Sequence, residues 1–191
     1  MRLIRYGVHS KTHDLEPSVV TIGNFDGVHL GHQYVIQSVK KYAKEHHFLA
    51  TVVTFEPTPS EYFLREKAPK RLTQFREKTE RLQDLFIDIL CVLRFNFEMA
   101  SLSPEDFIQK ILVSGLNMQH IVVGDDFKFG KNRAGNIPLL QQAGSHFGFG
   151  VTVMPAFLYE GVRVSSTRIR EALMEGKISV AEHLLGRKVN A

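Results

Sequence analysis

Val19-Val20-Thr21-Ile22 is a β-branched run that ends at Gly23, and a stretch with helical spacing of apolar residues follows it. This change of period recurs along the chain. Leu49 to Phe55, Ile89 to Phe95, His120 to Val123 and Val151 to Met154 are short apolar runs that read as strands, the first of them stopped by Pro57 and Pro59. Between them, His32 to Glu45, Thr73 to Phe86, Ser103 to Val113 and Pro138 to Phe147 read as helices. In the first helix Val35, Ile36, Val39, Tyr42 and Ala43 fall on one face, with Lys40, Lys41 and Lys44 outside it. A last helix, capped by Ser165 or Ser166, runs to Met174 with Gly176 as its stop signal. Strand and helix alternating in units of about 30 residues predict an α/β fold, a Rossmann-like doubly wound parallel sheet covered on both faces. Such sheets bind ligands beyond the carboxyl ends of their strands. The loops after the first, second and fourth of these strands, and the Ser-rich helix start, are therefore where chemistry is expected.

Composition narrows the classes. The 191 residues read as a single domain over 1–191, and 43% hydrophobic with 23% charged residues excludes wholesale disorder. Lys and Arg outnumber Asp and Glu by 24 to 20, a net +4 that suits an anionic ligand. The charges are dispersed and form no basic-aromatic stripe, so no nucleic-acid partner is expected. Cys91 has no second thiol to pair with, and its apolar setting makes it a core hydrophobe. Neither a signal peptide nor a run of ~18 apolar residues is visible, which predicts a cytoplasmic protein with no membrane partner.

The first loop reads Gly23-Asn24-Phe25-Asp26-Gly27-Val28-His29-Leu30-Gly31-His32. Its three glycines allow sharp turns and close approach of backbone to ligand. His29 and His32 lie three apart at a helix opening, so both imidazoles can address one spot, where the helix dipole and free N–H groups favour phosphate. Familiar phosphate motifs fail on spacing: Gly124 and Gly130 are separated by five residues rather than the four of a P-loop, and Lys131 is followed by Asn132 rather than by a hydroxyl.

This segment resembles the HxGH signature of the nucleotidylyltransferase superfamily. The fuller string G-N-F-D-G-V-H-x-G-H is similar to the FMN adenylyltransferase module of bacterial bifunctional riboflavin kinase/FAD synthetases. Three later segments agree with that branch: Thr54-Phe55-Glu56-Pro57-Thr58-Pro59, Gly124 through Gly135, and Val164-Ser165-Ser166-Thr167-Arg168-Ile169-Arg170. The resemblance extends to the closing Leu184-Leu185-Gly186-Arg187. It departs at Thr58, where the family usually carries His.

The resemblance implies a nucleotidylyltransferase-type fold and adenylyl transfer from ATP to FMN, giving FAD and pyrophosphate, with Mg2+ accompanying ATP. It assigns His29, His32, Asn24 and Arg170 to the reacting phosphates. Gly23, Phe25, Asp26, Gly27, Gly31, Gly124, Ser166 and Thr167 go to the ATP side, and Pro57, Thr58, Phe63, Asp126, Phe127 and Phe129 to the flavin side. Asp26 reads equally as a metal-side carboxylate or as a turn-former before Gly27, and the metal site is unassigned. Phe127 and Phe129, one residue apart, are each either a flavin wall or core. Arg168 is equally a surface charge, and His46-His47 reads as a solvated helix end. The family continues beyond the Leu-Leu-Gly-Arg segment into a riboflavin kinase module, a covalent partner expected to be absent from these 191 residues. The alternatives are an HxGH enzyme with another phosphorylated acceptor, and a non-catalytic flavin or nucleotide binder.

Overall fold

The computed structural model describes residues 1–10 and 14–189. Its centre is a six-stranded sheet in the order β1-β4-β3-β2-β5-β6, formed by β1 (Arg2–Tyr6), β2 (Ser18–Ile22), β3 (Leu49–Glu56), β4 (Ile89–Arg94), β5 (Met118–Gly124) and β6 (Gly150–Met154). Every pairing in that sheet is parallel. The inner strands are largely buried because both faces are covered, and β2 is buried along its whole length.

Alternation along β2 divides the core. Val19 packs with Val39 and Ala43 of α1 (Leu30–His46), whereas Val20 and Ile22 face a helical run over 104–116. That run opens as α5 (Pro104–Asp106), with Ser103 Oγ accepting from the Asp106 N–H at 3.1 Å. It continues as a π-helical stretch, Phe107–Val113, and closes as α6 (Ser114–Leu116). The α1 face is shared with α3 (Phe75–Asp84), whose Leu82 is fully buried. The remaining elements are α2 (Pro59–Leu64), α4 (Phe97–Ser101), α7 (Ile137–Phe147), a hairpin of β7 (Leu158–Tyr159) and β8 (Val162–Arg163), α8 (Ser166–Met174) and α9 (Ile178–Leu185). Cys91 is fully enclosed in β4, and burial pushes its thiol up to about 12. No helix among the described residues is long and apolar enough to cross a membrane.

Several elements escape the sequence pattern. Strand β1 sits at the sheet edge with only Ile4 and Tyr6 buried, so charged residues interrupt its apolar signal. The segment after Pro57 is not merely a strand stop, because Pro59 opens α2. Helix α3 begins at Phe75 rather than Thr73, because Thr73 is spent on the first loop: its Oγ1 accepts from the Gly27 N–H at 3.0 Å. Strands β7 and β8 are too short to show any period, and α9 lies beyond the last helix read from the pattern.

The strand order places the site. From β2 the chain crosses through α1 to β3 on one side, and β5 flanks β2 on the other. Loops leaving β2 and β5 therefore diverge, and a crevice opens between them.

Candidate active site

A cleft of about 330 Å³ occupies that crevice. It is lined by Gly23, Asn24, Phe25, Asp26, His29, Gly31 and His32 after β2, by Gly124, Asp126 and Phe127 after β5, and by Ser165 and Ser166 at the start of α8. Three of the four sequence motifs thus meet in one place. A larger cavity of about 540 Å³ lies toward β1 and β4, but of the motif residues it takes in only Glu56.

The loop after β2 is held in an unfavourable backbone conformation. Phe25 and Val28 have φ of 49° and 43°, a region where a β-branched residue is a genuine outlier. Packing overdetermines it: both side chains are buried against Ile36, Val52 and Leu82. Its carbonyls are tied one by one. Asn24 O accepts from Lys78 Nζ at 3.1 Å and Thr54 Oγ1 at 3.2 Å. Asp26 O accepts from Ser166 Oγ at 2.9 Å, Gly27 O from Arg187 Nη1 at 2.7 Å, and Val28 O from Gln33 Nε2 at 2.9 Å. Among the described residues, nothing takes the N–H groups of Asn24, Phe25 or Asp26. With carbonyls anchored and N–H groups free, the loop offers donors to an anion.

Two imidazoles complete the cradle. His29 is the N-cap of α1, and its Nδ1 accepts from the His32 N–H at 3.3 Å. That bond makes Nδ1 the unprotonated nitrogen and leaves Nε2–H as a donor. The His32 ring stacks on it at 3.5 Å between centroids, and His32 Nδ1 is enclosed without a partner. Gly31 permits this closeness, since a Cβ there would lie 3.2 Å from the His29 ring and 3.3 Å from Val164 O. Burial pushes His29 down to about 4 against the opposing pull of Asp26, with Arg187 and Arg170 adding to the drop. Burial also holds His32 well below the usual imidazole range, helped by the neighbouring His29 and Lys78. Both rings are therefore neutral near pH 7, which lets them stack without repulsion.

Several assigned residues are engaged elsewhere. Asp26 lines the cleft, but its carboxylate accepts from the Leu72 N–H at 2.9 Å and the Thr73 N–H at 3.1 Å and pairs with the Arg170 guanidinium, the contacts of a loop brace. Arg170 also donates through Nε to Lys70 O at 2.7 Å, so it braces the loop from behind rather than lining the cleft. Phe129 is core, not a flavin wall. It is 7% exposed, is bridged to Gly135, and stacks at 5.3 Å behind Phe127, which does face the cleft. Thr167 is exposed in the first turn of α8, and buried Gly27 lies under Leu72 and Leu185. Pro57 and Phe63 are exposed outside the cleft, and Thr58 caps α2. Arg168 is no free surface charge, since its Nη1 donates to Val162 O at 2.9 Å and holds the hairpin. Among the described residues, no group of three or more His, Cys, Asp or Glu can hold a metal ion.

Sequence reasoning missed four contributors. Lys78 is 2% exposed beneath the first and second loops, bonded to Asn24 O and, at 3.3 Å, to Thr54 Oγ1. Burial lowers its pKa, partly offset by Glu56 and Asp26. Its place in α3, one Lys on a charged helix, gave no signal. Phe157 adds an aromatic wall, and Arg163 bonds Asp125 at 2.9 Å and Asp126 at 3.0 Å at the rim. Arg187 reaches back from beyond α9 to Gly27.

The chain matches a family model described as FAD synthetase over residues 11–168. The bifunctional riboflavin kinase/FMN adenylyltransferase of Buchnera aphidicola subsp. Schizaphis graminum is 44% identical over 188 residues, covering 98% of this chain and 60% of that protein. The protein of the same description from Escherichia coli K12 is 42% identical, covering 97% and 59%. The chain thus spans about three fifths of the length of these curated relatives. A crystal structure titled as a macrolide-efflux protein from Streptococcus pneumoniae superposes with a TM-score of 0.84 at 27% identity, covering 98% of this chain and 60% of that one. A pantothenate synthetase from Thermus thermophilus shares the fold alone, with a TM-score of 0.51 at 14% identity, covering 97% of this chain and 81% of that one. With a cradle of free N–H groups and paired imidazoles where the motifs predicted one, and a family match across most of its length, the chain belongs to the FAD synthetase family.

Proposed function

We propose that the chain transfers the adenylyl group of ATP to FMN, releasing FAD and pyrophosphate, within the cytoplasmic nucleotide pool. The observation that carries this reading is the neutral, stacked His29–His32 pair at the N-terminus of α1, within one cleft with Phe127 and Phe157. Such a cleft suits a phosphate chain at one end and flat aromatic groups at the other.

An oxygen of the FMN phosphate attacks the α-phosphorus of ATP, the new P–O bond forms, and the bond to the β-phosphate breaks to release pyrophosphate. A phosphate monoester with a second pKa of about 6 is mostly dianionic at pH 7, so the nucleophile needs no protein base. What the chain supplies is alignment of two anions and stabilisation of the charge that develops. His29 donates through Nε2–H, a tautomer the helix cap has already selected. His32, the loop N–H groups and the start of α8 add donors without reorganising. Arg170 orients Asp26, and Asp26 orients the loop. Mg2+ would accompany ATP and neutralise phosphate charge; among the described residues no group of three or more His, Cys, Asp or Glu is placed to hold it, and no step above depends on it. A riboflavin kinase module joined to this one, as in the longer relatives, would supply FMN.

Incubating the protein with ATP and FMN and separating products by chromatography tests the reading. FAD and pyrophosphate in equal amounts are expected. Replacing ATP by CTP, or FMN by nicotinamide mononucleotide or pantetheine phosphate, should abolish product, and turnover of either acceptor in preference to FMN would overturn the flavin assignment.

A further inference from the structure

The segment Leu184-Leu185-Gly186-Arg187, at the end of α9 and just beyond it, lines no part of the cleft. It rests instead against the back of the loop after β2. Leu185 packs beside Gly27, where an added Cβ would meet its Cδ2 at 3.3 Å. Its carbonyl accepts from Gln33 Nε2 at 3.3 Å, and the same amide donates to Val28 O at 2.9 Å. Gly186 closes α9 with φ of 70°, and a Cβ there would lie 2.6 Å from Cδ2 of Leu30, the neighbour of His29. Arg187 then turns inward, and its Nη1 donates to Gly27 O at 2.7 Å.

The surroundings of Arg187 fix where it points. Its N–H donates to Glu182 O at 3.2 Å, and Glu182 Oε1 accepts from the Val189 N–H at 3.1 Å, which folds this stretch back on α9. Among the described residues its one carboxylate neighbour is Glu77, 3.9 Å away and already paired with Arg81 at 2.6 Å. The Gly27 carbonyl, rather than an ion pair, therefore directs the guanidinium, and a bond from a charged donor is the stronger kind. Gly27 itself stands between Phe25 and Val28, whose φ of 49° and 43° persist only where neighbouring groups overdetermine them. Its carbonyl belongs to the peptide that leads through Val28 to His29. Asp26 O and Val28 O on either side are held by Ser166 and Gln33, so losing Arg187 frees one peptide and leaves the rest of the loop tied.

We propose that Arg187 is a positioning residue for ATP: by holding Gly27 O it fixes the turn between the free N–H groups and His29, and so sets from outside the cleft how firmly the cleft holds the triphosphate. The proposal rests on the adenylyl-transfer reading above, which makes ATP the occupant. Arg187 does not touch the reacting atoms and acts through the Gly27–Val28 peptide.

The test is isothermal titration with ATP, joined to hydrogen exchange of single amides. For Arg187→Met we expect the Kd for ATP to rise about tenfold, because binding must then order the turn, with a melting temperature close to the parent's. Exchange should quicken at Gly27, Val28 and His32, whose N–H groups bond Thr73 Oγ1, Phe25 O and His29 Nδ1. It should not quicken at Ala181 within α9, whose N–H bonds Lys177 O. Arg187→Lys keeps a charged donor and should fall between parent and Arg187→Met. Arg187→Gln is too short to reach Gly27 O, and it carries the same test should Arg187→Met not fold. Unchanged ATP affinity in either of these variants would overturn the proposal. So would exchange that quickens at Ala181 as much as in the loop, which would make Arg187 a brace of α9 alone. A parent protein that binds ATP but forms no FAD would sink the flavin reading and leave this test intact, and one that binds no ATP would sink both.

Discussion

The loops after β2 and β3 are built by opposite means. On the phosphate side, Phe25 and Val28 are buried in left-handed conformations, and the carbonyls of Asn24, Asp26, Gly27 and Val28 are each held by a side chain from elsewhere in the fold. In the loop after β3, outside the cleft and given to the acceptor only by the family resemblance, Pro57 is exposed, Phe63 is 64% exposed, and the turn is secured at its tip through Arg71. A phosphate cradle must hold several donors at fixed positions before charge develops, and that justifies strain maintained by the core. An acceptor carrying a large flat ring gains its affinity from apolar contact, for which a tethered, adjustable loop suffices.

The sharpest way to break this contrast is to remove one donor without loosening the loop. Asn is among the best N-caps, so His29→Asn keeps an acceptor for the His32 N–H while deleting Nε2–H. We expect a melting temperature close to that of the parent and a fall in adenylyl transfer of about 10²–10³. His29→Ala should lose as much activity and about 1 kcal/mol of stability besides, through the missing cap. For His32→Ala the expected fall is of the same order, about 10²–10³. Near-parental turnover in both His29→Asn and His32→Ala would detach the imidazoles from the chemistry.

Acid should expose the same asymmetry. The His29 pKa lies at about 4 in the folded chain, against about 6.5 when unfolded, so the unfolded chain binds more protons between those values and stability rises with pH across the window. Lowering the pH from 7 toward 4 should therefore remove up to about 3 kcal/mol through His29 alone. His32, likewise depressed by burial, shifts stability in the same direction. Denaturant titrations of the parent and of His29→Asn at several pH values measure this. The variant should show the shallower dependence, and equal slopes would mean that the ring does not titrate as its burial dictates.

Lys78 marks a smaller trade. Its ammonium is 2% exposed with only neutral oxygens bonded to it, so its charge is costly to the fold. Lys78→Met should leave the melting temperature unchanged or raised, since Thr54 Oγ1 still donates to Asn24 O. The loss of a fixed positive charge under the phosphate loop should weaken ATP binding by on the order of 1 kcal/mol. Isothermal titration with ATP separates the two effects, and unchanged affinity would confine Lys78 to packing.

What could be read in advance follows the same divide. The phosphate loop was legible because its demands fall on adjacent residues: glycines where the chain turns sharply, two imidazoles at a helix start, and a β-branched strand before them. The sheet was legible for a similar reason, since Val19 to Ile22 and Ile89 to Leu93 are buried on both faces and read as continuous apolar runs. Strand β1 was not, because an edge strand with Arg2 and Arg5 outside shows half the pattern. The tethers were not either. Arg71, Arg187 and Lys78 act across long stretches of chain, and a charged residue on a helix or loop looks the same whether it meets solvent or a carbonyl. Phe129 misled for the converse reason: its spacing from Phe127 is real, but the bridge to Gly135 turns it into the core.

Thr58 offers the finest test, because here the tether meets the position where this sequence departs from its family's pattern. Its hydroxyl and the Glu61 carboxylate form a capping box, so Thr58→Ala should cost about 1 kcal/mol, typical of a lost N-cap. Since α2 buries none of its residues, that cost should appear as faster hydrogen exchange at Glu61 and Tyr62 rather than as a lower melting temperature. Thr58→His is the informative partner. His29 already caps α1 through Nδ1, so an imidazole at position 58 can keep the cap while presenting a ring toward the acceptor. We expect exchange at Glu61 to stay near the parent's and FMN to bind more tightly, read from quenching of flavin fluorescence on titration. Slow exchange with unaltered quenching would leave the cap argument standing and move the flavin away from this turn.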